Sequence, residues 1–525
     1  MKIAIPTLLF TLALVGCSSA EYAATLDMDD EYGNGDDDDY ESEDTGISPD
    51  KTPEQEDDFL ALAPAQTDVY VFVANPSRDT ITRINVLTQD VDTTDVGRDP
   101  RVVHTSPDYS KAVVFNRGDD SVTILDAVTL DATEVEVREN FNRMVLSPDD
   151  GGTWAVLWHD INAEDDDDPP VEGLQSFNEA SFVNTTTAEH FPMAVGFNPR
   201  SIRFTPDASM AVVVSDEYLA MVDLLAATPS PSLIQVAEDI VDPPAAEEVV
   251  IAPDGTYAFV RQFGSQELVV VDLLSKGVDR IPVGANPTDL DLSPNGKEAV
   301  LVARDDQELW IFDVADPFAS PDVLDIPEGA TLGSLLFDPT DDQAVLYTTA
   351  SATDRYAVWD RSTDELTMRS MVKPVSGMAI SPTGDTMLAF HTKEDATDAD
   401  PASPFKGEWA LSMIDLGDYR TNPLLLPAKI EGYANSTNGN FGYFIMKDTD
   451  FLEVLHYDSL IYDEVALNSE PVFIGVLPDL NNNDGDEPPV WVSQEHDLGR
   501  ITFYDPDDES LETITGFELN AHIED

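Results

Sequence analysis

A proline-centred turn recurs along most of the chain, and its spacing constrains the fold more than any other feature. It appears as Ser106-Pro107-Asp108, Ser147-Pro148-Asp149, Thr205-Pro206-Asp207, Ala252-Pro253-Asp254, Ser293-Pro294-Asn295, Asp338-Pro339-Thr340, Ser381-Pro382-Thr383 and Leu477-Pro478-Asp479. The first seven prolines lie 41, 58, 47, 41, 45 and 43 residues apart, and the last gap of 96 holds a degenerate turn at Asn435 to Gly439. Proline presets φ at the second turn position, and Asp or Asn before Gly, as in Pro253-Asp254-Gly255, closes a tight hairpin turn. After each turn come two short runs rich in Val, Ile, Phe and Tyr, the second ending in Asp: Lys111 to Asn116 then Ser121 to Asp126, or Glu298 to Arg304 then Glu308 to Asp313. Such runs between turn signals are strands. The closing Asp has a local explanation, because its carboxylate bonds backbone N–H groups of the next turn.

A third run follows, then a Val-Gly-x-x-Pro step at Val96 to Pro100, Val195 to Pro199 and Val283 to Pro287, and a fourth strand leads into the next proline turn. Four antiparallel strands in about 45 residues make one blade of a β-propeller. The fold class is therefore all-β. Ten hairpins are counted, starting near Asp68, Lys111, Thr153, Ser209, Tyr257, Glu298, Gln343, Thr386, Asn440 and Val490. Seven blades would need about 65 residues each, against the spacing, so about ten units in a ring larger than seven are expected. The alternatives are seven or eight blades, or two smaller rings. The count has the chain entering mid-blade at the first hairpin and ending in Phe517 to Ile523, read as an outer strand that pairs with the first blade.

The unit resembles the YVTN-type propeller family through Tyr70-Val71-Phe72-Val73-Ala74-Asn75, Asp79 to Ile84 and the segment Pro287 to Gly296. The resemblance implies a propeller over residues 67–525. Propellers of this kind are similar to lactonase-type hydrolases and quinoprotein dehydrogenase subunits.

Charge sets the class of partner. The 525 residues hold 103 acidic and 27 basic side chains, a net of −76, yet 42% of the chain is hydrophobic. A surface this negative repels phosphate backbones, which argues against nucleic acid. Glu21 to Asp58 carries 17 acids and the single base Lys51, with almost no branched aliphatics. Such a segment cannot bury enough apolar surface to order itself, so residues 17–66 are read as a disordered acidic tether. About −61 remains on residues 59–525, a repulsion that cations must screen as counterions.

Before the tether, Lys2 and the apolar run Ile3 to Gly16 read as a signal peptide over residues 1–16, too short to span a bilayer. Leu14-Val15-Gly16-Cys17 resembles the lipobox of bacterial lipoproteins, and Cys17 is the one cysteine of the chain. The resemblance implies lipidation of Cys17 (palmitate among its acyl chains) and a membrane partner through that anchor. Ser18 in place of Asp implies the outer membrane, facing either the periplasm or the cell surface.

Chemistry-bearing residues are sparse. The seven histidines show no metal-ligand spacing, and the six tryptophans fall mostly on strands, as packing residues do. Loops are the better candidates. Two long ones join second and third strands, His159 to Asn178 with Asp165, Asp166, Asp167 and Asp168, and Thr392 to Phe405. In a ring of ten they stand five blades apart on one rim, where they frame a partner with the linker residues Arg98, Arg101, Arg200 and Asn286. The segment from Asp479 to Glu487 looks like a calcium loop, with Asp479, Asn481, Asn483, Asp484 and Asp486 as its oxygen ligands. Calcium is the one cofactor these patterns suggest, and no catalytic residues are assigned. The functional expectation is a membrane-anchored envelope lipoprotein whose propeller binds or scaffolds a protein or glycan; the alternative is a propeller hydrolase or dehydrogenase subunit.

Overall fold

The computed structural model describes residues 65–161, 176–238, 246–262, 264–397, 399–478 and 487–521. They form ten four-stranded antiparallel sheets arranged as the blades of one propeller, with almost no helix. The blades span residues 65–95, 100–136, 143–194, 201–235, 246–282, 287–325, 334–370, 375–426, 430–466 and 471–515. Each sheet takes its strands in chain order from one continuous stretch. First strands of successive blades touch one another, so the first strand lies innermost and the fourth at the rim.

The core is divided ten ways. One cluster of buried apolar side chains fills each interface between neighbouring blades, and the last joins blade 10 to blade 1. Period-two alternation sends successive side chains of one strand into two different interfaces. In the strand Lys111–Asn116, Ala112 and Val114 pack toward blade 1 while Val113 and Phe115 pack toward blade 3. Both faces of every blade are thus covered, which is why these strands read as unbroken apolar runs. The tryptophans follow the same logic: Trp154 and Trp158, Trp359 and Trp491 each lie buried in such an interface.

Local chemistry explains the repeat. In the proline turn, Ser106 Oγ donates to Asp108 Oδ1 (2.7 Å) and accepts the Lys111 N–H (3.0 Å), while Tyr109 sits at φ 59°. Gly255, Gly296, Gly384 and Gly439 take that left-handed position elsewhere, where a glycine has no Cβ to clash. The closing Asp acts as the sequence suggested: Asp126 Oδ1 accepts the N–H groups of Val128 and Thr129 at 3.0 and 2.8 Å. Asp272 repeats this with Leu274 and Ser275.

Two readings of the ends are corrected. The chain does not enter mid-blade, because Ala65–Gln66 pairs with Val71 and Phe72 and supplies a two-residue innermost strand. Nor do the described residues from Phe517 to Ala521 form the expected outer strand, whose last two residues, His522 and Ile523, lie outside the described residues. Phe517–Leu519 is a 3₁₀ turn between Gly516 (φ 89°) and Asn520 (φ 54°), two left-handed residues that fold the segment back. From there Asn520 Oδ1 accepts the Thr93 N–H at 2.9 Å, and Glu518 pairs with Arg78 at 3.0 Å.

Candidate functional site

Strands that run alternately up and down place every second connection on the same face. The blade-to-blade linkers and the hairpins between second and third strands therefore share one face, called here the linker face. The Val-Gly-x-x-Pro step stitches the two together. Arg117 N–H donates to Asp99 O (3.0 Å) and Gly118 N–H to Arg98 O (2.9 Å), and Arg304 N–H reaches Asn286 O (3.0 Å). Asp99, Asn198 and Asn286 hold the left-handed conformation that the linker requires, at φ 49°, 53° and 54°. The linker glycine is needed for close approach, since a Cβ on Gly284 would stand 2.6 Å from that of Ala303.

This stitching accounts for the linker residues singled out in the sequence. Arg98 pairs through Nε with Asp119, whose carboxyl is held below its usual range by the Arg98 backbone N–H and side chain. Arg101 pairs with Asp99 at 2.8 Å. Arg200 pairs with Asp216 at 2.6 Å and Asn286 donates to Asp305 at 3.0 Å. Arg98 and Arg101 keep 68% and 56% of their side chains exposed on the linker face, whereas Arg200 keeps 12%, so only the first two present a charge outward.

The two long insertions do leave this face, from blades 3 and 8, which stand opposite in a ring of ten. Asp165, Asp166, Asp167 and Asp168 of the first lie outside the described residues. The base of the second is well anchored. Lys373, 2% exposed, pairs with Asp395 at 3.3 Å and donates to Glu408 O at 2.7 Å, while the Gly407 N–H bonds Asp395 at 3.1 Å. Beside it a shallow notch between blades 8 and 9 is lined by Phe390, His391, Trp409 and Lys429. Burial pushes His391 down to about 4, so its ring is neutral at pH 7, with Nδ1 3.2 Å from Pro374 O and Nε2 2.8 Å from Ser412 Oγ. Five of the ten lysines stand on this part of the linker face: Lys373 and Lys429 in linkers, Lys393 and Lys406 in the insertion, and Lys447 in the hairpin between the second and third strands of blade 9. Their bunching was visible in the sequence, but their common side depends on the strand order.

A second cluster was not legible. Glu248 on the inner strand Ala246–Ile251 of blade 5 and Asp289 and Asp291 on the inner strand Pro287–Leu292 of blade 6 bring carboxylate oxygens within 4.8 Å of one another. Oxygen donors of this kind suit a hard cation. The trio already has other duties. Arg261 pairs with Glu248 at 3.0 Å and with Glu247 at 2.7 Å, and burial raises the Glu248 carboxyl against that pull. Asp289 accepts the Leu290 N–H at 3.0 Å and caps the Leu335 N–H of blade 7. His104 and Arg203 do the converse, reaching the Met144 and Val249 carbonyls of the next inner strand at 3.1 and 3.3 Å. Side chains of one blade thus satisfy the open backbone edge of the next.

The remaining candidates fall elsewhere. Cys17 and the calcium-loop residues Asp479, Asn481, Asn483, Asp484 and Asp486 lie outside the described residues. Among the described residues, no helix is long and apolar enough to cross a membrane.

No protein-family model and no curated protein matches the sequence. Solved structures do resemble it. A eukaryotic initiation factor is 12% identical, with 76% of this chain and 97% of that one covered at a TM-score of 0.50. Dihydro-heme d1 dehydrogenase NirN in complex with DHE is 13% identical, with coverage of 79% and 77% and a TM-score of 0.44. AztD of Citrobacter koseri is 14% identical, with coverage of 59% and 86% and a TM-score of 0.36. At such identities the likeness is one of fold.

Proposed function

We propose that this chain is a lipid-anchored cell-envelope protein, held at the outer membrane through Cys17, whose YVTN-type propeller binds or scaffolds a protein or glycan partner. One observation supports the reading: the two long insertions depart from the same face, at blades five apart in a ring of ten. The inner strand of blade 1, Ala65–Gln66, begins on that face as well. A rigid ring that displays loops is how propellers and similar scaffolds recognise partners.

The test is crosslinking on intact cells with residues 162–175, residues 392–408 or both replaced by short Gly-Ser linkers. Each replacement is expected to lower recovery of a captured partner while leaving the melting temperature within a few degrees of the parent. An unchanged crosslinking pattern in the double replacement overturns the binding role. Palmitate labelling that survives Cys17→Ala overturns the anchor.

Catalysis is the second reading, favoured by the proximity of Glu248, Asp289 and Asp291. It requires that Asp291→Asn abolish turnover of a lactone or related substrate without loss of fold. Activity retained in that variant removes it.

A further inference from the structure

On the opposite face, the seam between blades 9 and 10 holds two buried oxygens without a hydrogen-bond partner. Glu487 precedes the strand Val490–Gln494 of blade 10 and is 8% exposed. Its Oε1 accepts from Asn440 Nδ2 at 2.6 Å, and its backbone N–H donates to Asp507 Oδ2 at 3.0 Å, but its Oε2 meets no donor. Tyr443, on the strand Phe441–Met446 of blade 9, is fully buried, and its hydroxyl is also unpartnered. The phenol faces the same charges. After burial, Glu487 is the first of the anions that push its ionisation up, with Asp507 and Asp505 behind.

A buried carboxylate oxygen with no donor costs several kcal/mol, and a buried hydroxyl with no partner adds to that. The hydroxyl does not relieve the carboxylate, since no hydrogen bond joins the two. Both oxygens lack a partner, and the Glu487 charge acts on the Tyr443 phenol across the seam. The donor set is oxygen throughout: one carboxylate fixed by an amide, a second carboxylate tied to its backbone, and a phenol. That set selects a hard divalent cation over a thiophilic or imidazole-seeking metal.

We propose that Glu487 Oε2, Asp507 and the Tyr443 hydroxyl hold one calcium-class cation that pins blade 9 to blade 10. The site stands apart from the linker face and does not depend on the function proposed above. It also uses none of the residues 479–486.

The experiment is calcium binding to the full chain by equilibrium dialysis and thermal melting in 0.5 M sodium chloride, which screens weak binding by the acidic surface. One tight site per chain and a saturable rise in melting temperature are expected. Glu487→Gln, an isosteric change, is expected to abolish both, and Tyr443→Phe to weaken binding roughly tenfold, or about 1.4 kcal/mol. Asp484→Asn is expected to leave both intact. The proposal is overturned if no tight site exists in the parent chain, or if Glu487→Gln binds as the parent does. A response lost in Asp484→Asn and kept in Glu487→Gln also overturns it, by assigning calcium to the neighbouring segment. Should Glu487→Gln not fold, the affinity of the Tyr443→Phe protein decides, and an unchanged value counts against the site.

Discussion

Gln66 and Trp491 lock the ring across its seam: the indole N–H of Trp491 donates to Oε1 of Gln66, whose Nε2 donates to Val476 O at 2.5 Å. The Gln66 carbonyl in turn accepts from Thr105 Oγ1 at 2.6 Å, so one side chain and its backbone tie blades 10, 1 and 2. Gln66→Ala leaves a buried indole N–H without a partner. The expected cost is about 1–3 kcal/mol, read as a lower urea midpoint with an unchanged slope. An unchanged midpoint would show that the apolar cluster alone closes the ring.

Gly284→Ala tests the close approach at the linker. The new methyl would meet Ala303 Cβ at 2.6 Å, and neither side has a flexible end that can move away. A loss of about 1–3 kcal/mol is expected, as for overpacking elsewhere. Gly377→Ala is the control, because that glycine has nothing within 4 Å of the added Cβ. Equal effects at the two positions would sink the explanation.

Glu453 makes stability fall with rising pH. It is 2% exposed, its Oε2 has no donor, and burial followed by the charge of Glu464 pushes its carboxyl up to about 8. The unfolded value is near 4.3, so the folded chain holds the extra proton between the two. This contribution is full below pH ~4.3 and is lost as pH rises through about 8. Glu453→Gln is expected to remove that slope and to stabilise the protein at pH 8 by a few kcal/mol relative to the parent. Parallel stability curves for the two proteins over that window would refute the assignment.

His391 acts in the other direction. Its folded value of about 4 lies below the unfolded ~6.5, so its contribution is present above pH ~6.5 and lost as pH falls through about 4. Nuclear magnetic resonance titration of the ring is the direct check. A midpoint near 6.5 would contradict its burial and its bond to Pro374 O.

How much of this was legible depended on the range of the interaction. The blade repeat could be read because its determinants are local: Ser106 with Asp108, and Asp126 with Val128 and Thr129, are neighbours in sequence as well as in space. The inner strand of blade 1 escaped because two residues, Ala65 and Gln66, carry no periodicity. Phe517 to Ile523 reads as a strand because its apolar content fits one, while the left-handed Gly516 and Asn520 that bend its start are not visible as such. Glu248 and Asp289 are 41 positions apart and meet through the ring, so no motif joins them. The pairing of Arg200 with Asp216 and of Asn286 with Asp305, each within its own blade, depends on the hairpin meeting the linker and has no local sequence signal.

Each blade is drawn from one continuous stretch, and no strand crosses the seam. Among the described residues, the circle is therefore held shut by side chains and a 3₁₀ turn, with no sheet shared between blades 10 and 1. Such a ring can gain or lose a unit by duplication or deletion at any linker without rethreading the rest, and the penalty falls on curvature and on the one interface newly formed. Its circumference is a variable that descent can tune, and with it the width of whatever the ring surrounds.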